Sequence, residues 1–508
     1  MFRSESSNTK DSDMNMTPKG RCFGNHPAGL TTLFFTEMWE RFSYYGMRAL
    51  LVLFMTAAAT SENPGLEFDI AKATAIYGLY TSMVYLLTLP GGWIADKLWG
   101  QKKAVFVGGC IIAAGHFSMA IPIMPTFYAG LVLISLGTGL LKPNVSTMIA
   151  DLYPEGGARR DAGFSIFYMG INLGAFLGTI LCGLIGEGYN FHWGFSLAGI
   201  GMVLGLIQYK TGSRRLGDAG SLKTNDDLAT LKQRGRRFYS ASVTVAAVVT
   251  SLVYLALSGV VELSIQQAAT WLGYGILILS GLFFLYLFTG AQLTLVEKKR
   301  VAVIMWLYLL AAVFWSGFEQ AGSSMNLFAR DLTDRNVAGW EMPASWLQNV
   351  NPIFIVIFAP IFGWLWTWLA QYRSDPSTPM KFALGLFGLS GGFLVLSWGA
   401  ANMVEGSLVS PAWLVVTYFL HTAGELCLSP VGLSSVTKLA PAGRVGQMMG
   451  VWFIAAALGN LFAGLVAGRL ETLSPDALFW NVALTIGAAG VIAIVASPMI
   501  RRWMGDVH

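Results

Sequence analysis

Long apolar runs, broken at short intervals by polar residues, fill most of this chain. Fourteen of them, at 29–59, 70–95, 102–122, 127–150, 160–187, 191–210, 239–260, 268–292, 301–329, 346–370, 380–402, 411–438, 445–470 and 477–500, approach the roughly 20 residues a helix needs to cross a bilayer. The pattern predicts an all-α polytopic membrane protein with fourteen transmembrane helices. Six spans precede the polar stretch 211–238, two follow it, and six more close the chain.

Composition agrees with that pattern. Of 508 residues 54% are hydrophobic and 12% charged, against about 25% charged in soluble proteins. The 58 glycines and 17 tryptophans suit close helix packing and interfacial anchoring in a lipid bilayer. The distribution of Lys and Arg sets an orientation. With the N-terminus in the cytoplasm, 26 of the 33 fall on the cytoplasmic side. Lys72, Arg330, Arg335 and Arg469 fall outside, and Arg41, Arg48 and Lys142 lie within spans. Both termini are then cytoplasmic. The net charge of +5 is accounted for by those loops and implies no nucleic-acid partner. Residues 1–25 hold no apolar core, so no cleavable signal peptide is expected. Cys22, Cys110, Cys182 and Cys427 match no metal or disulfide spacing. No metal-ligand cluster, nucleophile elbow or phosphate loop is present, so neither an enzyme nor a cofactor is expected. No segment signals an oligomeric state.

Six spans, a basic linker and six spans make the layout of a major-facilitator transporter. The expected parts are a cytoplasmic tail (1–28), a six-helix bundle (29–210), a linker with two added helices (211–300), a second six-helix bundle (301–500) and a cytoplasmic end (501–508). The added helices carry few polar groups, with Glu262 in their outer loop, and a lateral, structural role is expected. The run Gly91-Gly92-Trp-Ile-Ala-Asp96-Lys97 through Lys103 resembles the facilitator loop in which a glycine allows close helix approach and an Asp with basic residues latches the helix ends.

Ionisable residues inside the spans carry the chemistry. On the first helix Glu37, Glu40, Arg41, Tyr44, Tyr45 and Arg48 fall within roughly 140° of arc. A charge facing lipid costs roughly 3 kcal/mol or more, so this stripe faces protein or a water-filled cavity. Two acids and two bases neutralise one another only when all are ionised, and one added proton rearranges the pairing. Lys142 on the fourth span needs a carboxylate partner. Asn172 on the fifth can offer a donor and an acceptor to an amide. The C-terminal half adds Glu319, Asn351 and Glu425. A cavity between the halves is then positive on one wall and negative on the other, which suits a zwitterion with its carboxylate toward Arg48 and Lys142 and its ammonium toward Glu425. Tyr44, Tyr45, Tyr85, Trp315 and Trp452 share helices with these charges and are cavity candidates. His116, His192 and His421 read as packing residues.

Glu37 to Gly46 fits the E-x-x-E-R-F-x-Y-Y-G signature of the proton-dependent oligopeptide transporters (POT) of the major facilitator superfamily, and Phe167 to Gly174 fits that family's F-Y-x-x-I-N-x-G run. Gly137-Thr-Gly139-Leu-Leu-Lys142-Pro-Asn144, Asn351-Pro352 and Glu425 through Ser429-Pro430 are similar to it as well. The chain resembles a bacterial member over about 28–500, including the two-helix insertion. The resemblance implies symport of di- and tripeptides with protons in the bacterial inner membrane, with H+ as the coupling ion. It assigns proton coupling to Glu37, Glu40, Arg41 and Glu319. Arg48 and Lys142 would receive the peptide carboxylate and Glu425 its amino terminus. Asn172 and Asn351 would hold the peptide backbone, and Tyr45, Tyr85, Trp315 and Trp452 would line side-chain pockets. Arg48–Glu319 and Lys142–Glu425 would be the outer and inner gating pairs. Some members carry a Ser where this chain has Ala456, which removes a hydrogen bond to peptide. The alternatives are a proton-coupled carrier of a non-peptide anion such as nitrate, a drug exporter, and a non-transporting receptor or scaffold. Retention of Glu37, Glu40 and Glu425 favours a substrate with an amino group.

Overall fold

The computed structural model describes residues 21–22, 26–155, 157–224, 226–257, 264–372, 374–403 and 407–505. Most of the tail expected over 1–28, Glu262 and the last residues of the C-terminal end lie outside them. The described residues are almost wholly helical. In order come α1 (Ala28–Thr56), α2 (Ile70–Leu86), α3 (Thr88–Ile94), α4 (Gln101–Met119), α5 (Met124–Leu152), α6 (Gly157–Gly188), α7 (Phe191–Gly212), α8 (Leu228–Leu257), α9 (Ile265–Thr289), α10 (Leu295–Phe318), α11 (Ser324–Asp331), α12 (Val350–Gln371), α13 (Thr378–Ala401), α14 (Ala412–Leu439), α15 (Val445–Ala467) and α16 (Pro475–Met504). Two-residue strands, Asn336–Val337 and Trp340–Glu341, form a small hairpin between α11 and α12.

Ten helical stretches among the described residues are long and apolar enough to cross a membrane. Four expected spans do not join them. Helix α1 carries buried charges, α4 opens on basic residues, and α2 stops at Leu86; α8, charge-free over 240–257, runs up to the residues outside the described ones. The second expected span continues as α3 and a π-helical turn, Ala95–Trp99. Pro90 sits in α3 and has no N–H to offer the carbonyl one turn back, which accounts for the break after α2. The ninth expected span, 301–329, is interrupted at Glu319–Gly322 by a 3-10 turn, so α10 and α11 form one interrupted segment. Helices α9 and α10 start earlier than their apolar runs. Ser264 with Gln267, and Thr294 with Glu297, form capping boxes that satisfy the first backbone N–H groups.

Helix α1 packs on α6 and α7, and α4 on α5 and α7. In the second half of the chain α13 packs on α14 and α16, and α10 on α15. The two groups meet chiefly where α2 lies along α15. Between lipid-embedded helices association comes from close packing rather than from apolar area removed from water, and the contacts fit that rule. A methyl on Gly464 would lie 2.3 Å from the Thr74 carbonyl oxygen. On Gly174 it would lie 2.1 Å from that of Met38, so the glycine fixes how near α6 comes to α1. Helix α9 packs on α2, α15 and α10, with the Tyr308 hydroxyl donating to Ser280 at 3.0 Å. Helix α8 lies against the π-helical turn.

Candidate functional site

A polar seam runs through the apolar interior, and α1 supplies its centre. Glu37, Glu40, Arg41 and Arg48 are all buried, Glu40 completely. The 3.6-residue period puts Glu37 and Arg41 one turn apart and Glu40 beside them. The Arg41 Nε lies 2.7 Å from Glu37 Oε1 and 3.2 Å from Glu40 Oε2. One guanidinium therefore serves two carboxylates. Glu37 Oε2 and both Glu40 oxygens have no hydrogen-bond donor among the described residues. Fully ionised, the trio carries one surplus negative charge in a region that solvates charge poorly. A single proton removes it. The Arg41 guanidinium also faces the Tyr44 ring at 5.9 Å.

Two turns along α1, Arg48 reaches across to the other group of helices. Its Nη2 donates to Glu319 Oε2 at 2.5 Å and its Nε to the Tyr77 hydroxyl at 2.6 Å. Its guanidinium lies 5.7 Å from the Tyr45 and Tyr77 ring centroids. The break at Glu319–Gly322 positions this acid: α10 ends at Phe318, so Glu319 sits at a helix end. The pair expected between Arg48 and Glu319 is thus made.

The pair expected between Lys142 and Glu425 is not. Lys142 Nζ sits 3.7 Å from the centroid of the Tyr85 ring, a cation–π contact within its own group of helices. Glu425 Oε2 accepts from Asn351 Nδ2 at 3.2 Å, and the same amide donates to Thr422 Oγ1 at 2.9 Å. Each charge rests on neutral partners. The motif Asp96 likewise accepts from Gln101 Nε2 at 2.8 Å rather than from a basic side chain. The close approach expected at Gly91 is present, since a methyl there would lie 2.0 Å from the Gly139 carbonyl oxygen.

Asn172 donates to the Tyr168 carbonyl of its own helix at 2.9 Å. Trp315 packs edge-on to Phe314 and Phe318, and its buried Nε1–H has no acceptor among the described residues. Trp452 is buried between Gly432 and Phe382. The histidines sit in packing positions: His421 lies under Phe393 with ring centroids 4.7 Å apart, and His116 is fully buried. No cluster of His, Cys, Asp and Glu that could hold a metal ion occurs among the described residues.

Three residues join the site without having been singled out from sequence. Tyr77 receives Arg48, and Thr422 shares Asn351 with Glu425. Glu187, at the end of α6, accepts the backbone N–H groups of Ala344 and Ser345 at 2.7 and 3.0 Å. It thereby caps the 3-10 turn Ala344–Asn349 that leads into α12. Thr422 was within reach of a sequence argument, because it lies three residues before Glu425 on the same helix face.

A profile of the POT family matches residues 102–480. The chain is 42% identical over 507 residues to the peptide transporter YePEPT of Yersinia enterocolitica subsp. palearctica serotype O:3 (strain YE-P4), covering 97% of this chain and 98% of that one. It is 35% identical over 509 residues to the di-/tripeptide transporter of Lactococcus lactis subsp. cremoris, covering 97% and 100%. Among solved structures, a mutant of the peptide transporter POT in complex with alafosfalin superposes with a TM-score of 0.87 at 40% identity, over 96% of this chain and 98% of that one. A POT family transporter in complex with 5-aminolevulinic acid superposes with a TM-score of 0.86 at 33% identity, over 95% and 98%.

Proposed function

This chain belongs to the POT family, and from that premise we propose that it is a proton-coupled symporter importing di- and tripeptides by alternating access. It is a multi-pass membrane protein. In this reading it crosses the bacterial cytoplasmic membrane fourteen times with both termini inside, as two bundles (29–210 and 301–500) joined by the linker 211–300. It acts as a transporter and not as an enzyme.

The observation that carries the reading is the unequal state of two charge pairs: Arg48 is bonded to Glu319, while Lys142 and Glu425 each rest on neutral groups. That is the arrangement of a carrier shut on the outer side and open on the inner. The zwitterionic ends of a short peptide supply the missing counter-ions, its carboxylate going to Lys142 and Arg48 and its ammonium to Glu425. Asn172 and Asn351 hold its backbone. Tyr45, Tyr85, Trp315 and Trp452 wall the side-chain pockets. When the peptide leaves toward the cytoplasm, Lys142 and Glu425 pair and close the inner side. Separating Arg48 from Glu319 then reopens the outer side. Breaking a buried pair costs about 3–5 kcal/mol unless a new counter-ion arrives. A proton, taken at Glu319 or at the Glu37–Glu40–Arg41 trio, frees Arg48 for the incoming carboxylate. The trio supports that role because it has two acids for one base. The membrane potential adds about 2.3 kcal/mol per inward charge at 100 mV.

Uptake of labelled dialanine into proteoliposomes, with and without an inward proton gradient, tests this for the parent and for Glu40→Gln. The parent is expected to accumulate dialanine only with the gradient, and Glu40→Gln only to exchange it downhill. Absence of peptide uptake in the parent under both conditions refutes the peptide assignment.

A further inference from the structure

A cavity of about 970 Å3 opens between the end of the π-helical turn, the start of α4 and the first turns of α8. It is remote from the charge pairs of the seam, and no step proposed above uses it. Its wall carries three cations, Lys103, Lys232 and Arg236, and no acid. None of the three has a carboxylate within ion-pair distance among the described residues. The acids nearby are engaged elsewhere: Asp226 binds Arg234 at 2.8 Å, and Asp96 accepts from Gln101. The aromatic part of the wall is tied together. Trp99 Nε1 donates to the Tyr239 hydroxyl at 2.9 Å, and Lys103 Nζ lies 5.2 Å from the Trp99 ring centroid. Having accepted that bond, the Tyr239 hydroxyl keeps its own proton for another acceptor.

Polarity changes along the cavity. Lys232 and Arg236 mark one end and Val243 the other, and the wall runs on to Thr244. Twelve residues of helix separate Lys232 from Thr244, about 18 Å at 1.5 Å per residue. From Tyr239 to Val248 helix α8 is exposed and uncharged, with Val243, Val245 and Val248 all on the surface. An inorganic anion would use only the basic end. A molecule with an anionic head and an apolar tail uses the whole length. Basic pockets at the cytoplasmic ends of membrane helices, lined by interfacial aromatics, bind such headgroups.

We propose that this cavity is a binding site for an anionic phospholipid. The headgroup phosphate lies among Lys103, Lys232 and Arg236, and an acyl chain follows Val243. The site joins α8 to the turn after α3, so a bound lipid bridges the inserted helix and the first bundle. The proposal rests on the membrane placement given above and is independent of what is transported.

The test is native mass spectrometry of the full-length protein in detergent, titrated with short-chain phosphatidylglycerol or phosphatidylcholine, with inorganic phosphate as competitor. Phosphatidylglycerol is expected to bind at least about tenfold more tightly than phosphatidylcholine. K232E/R236E is expected to lose that preference, with roughly tenfold or greater weakening from the two reversed charges. Lys103→Gln, on α4, is expected to weaken binding in the same direction by about threefold, and it keeps the test decisive should the α8 variant fold poorly. R501E/R502E, which alters a basic pair outside the cavity, is expected to retain the preference. A preference for phosphatidylglycerol that survives both K232E/R236E and Lys103→Gln overturns the site. Displacement by inorganic phosphate as effective as by phosphatidylglycerol itself assigns the basic end to a free anion and overturns the lipid.

Discussion

The loops around residues 57–69 and 332–343, which we place outside, lie at one end of the seam between the helix groups, and the Lys142 and Glu425 region lies toward the other. At the outer end the groups are bonded to each other. Arg48 holds Glu319, Asn326 Nδ2 donates to the Ala49 carbonyl at 2.8 Å, Arg330 Nη1 donates to Thr56 Oγ1 at 2.6 Å, and Glu187 caps the turn before α12. Backbones also touch, Gly464 against Thr74. Toward the inner end the charged groups stay within their own half, Lys142 on Tyr85 and Glu425 on Asn351. The difference shows where the work of opening lies. Parting the outer end breaks an ion pair, several hydrogen bonds and a backbone contact. Closing the inner end requires two charges to give up weak neutral partners, a cation–π contact being worth about 0.5–2 kcal/mol.

The largest effect is expected from Arg48→Ala. It leaves Glu319 buried without a counter-charge, a loss of about 3–5 kcal/mol, and uptake of dialanine by proteoliposomes should fall a hundredfold or more. Uptake within threefold of the parent would show that the outer ion pair is dispensable. A smaller, paired effect is expected on α15. Gly464→Ala forces its methyl against the Thr74 carbonyl and should destabilise by about 1–3 kcal/mol, read as a lower Tm in detergent. Gly450→Ala, nearer the inner end, meets only a Leu89 methyl at 3.1 Å and should stay within about 0.5 kcal/mol of the parent. Equal losses would erase the contrast between the two ends. A smaller loss than that of Gly464→Ala is expected from Glu187→Gln. The amide oxygen must replace two carboxylate oxygens that each accept a backbone N–H, a loss of roughly 1–2 kcal/mol. The outer end should then open more often, by about five- to thirtyfold. The rate at which a membrane-impermeant maleimide labels Ser61→Cys, in the outer pocket beside Glu187, measures this, and an unchanged rate would remove Glu187 from the outer closure.

Much of the seam was legible in the sequence because charge inside a membrane is costly and therefore rare. Glu37, Glu40, Arg41, Arg48, Lys142, Glu319 and Glu425 stand out against apolar neighbours, and helical periodicity groups the first four on one stripe. Which charges pair was not legible, since Lys142 has the Tyr85 ring in its own half as an alternative to an acid across the seam. Glu187 escaped notice because an acid at a helix end beside Gly188 reads as solvated. Helix starts were misplaced where hydropathy was the guide. The apolar runs beginning at 268 and 301 are preceded by polar first turns, and the Ser264–Gln267 and Thr294–Glu297 capping boxes mark those turns directly. The interruption at Glu319 lacks a proline to announce it and emerges only from the fit of α10 and α11 against the first bundle.

The reach of Arg48 has a consequence for how the protein is made. Arg41 finds both its acids within one turn of its own helix, so its pairing is complete as soon as α1 forms. Arg48 finds Glu319 only across 271 residues of chain. At 5–20 residues per second of synthesis, that interval is roughly 15–50 s. For that time Arg48 waits in or near the membrane without its acid, with Tyr77 on α2 the first permanent partner to arrive. Assembly therefore divides at α1: one end of the helix is finished locally and early, and the other is completed by almost the last third of the polypeptide.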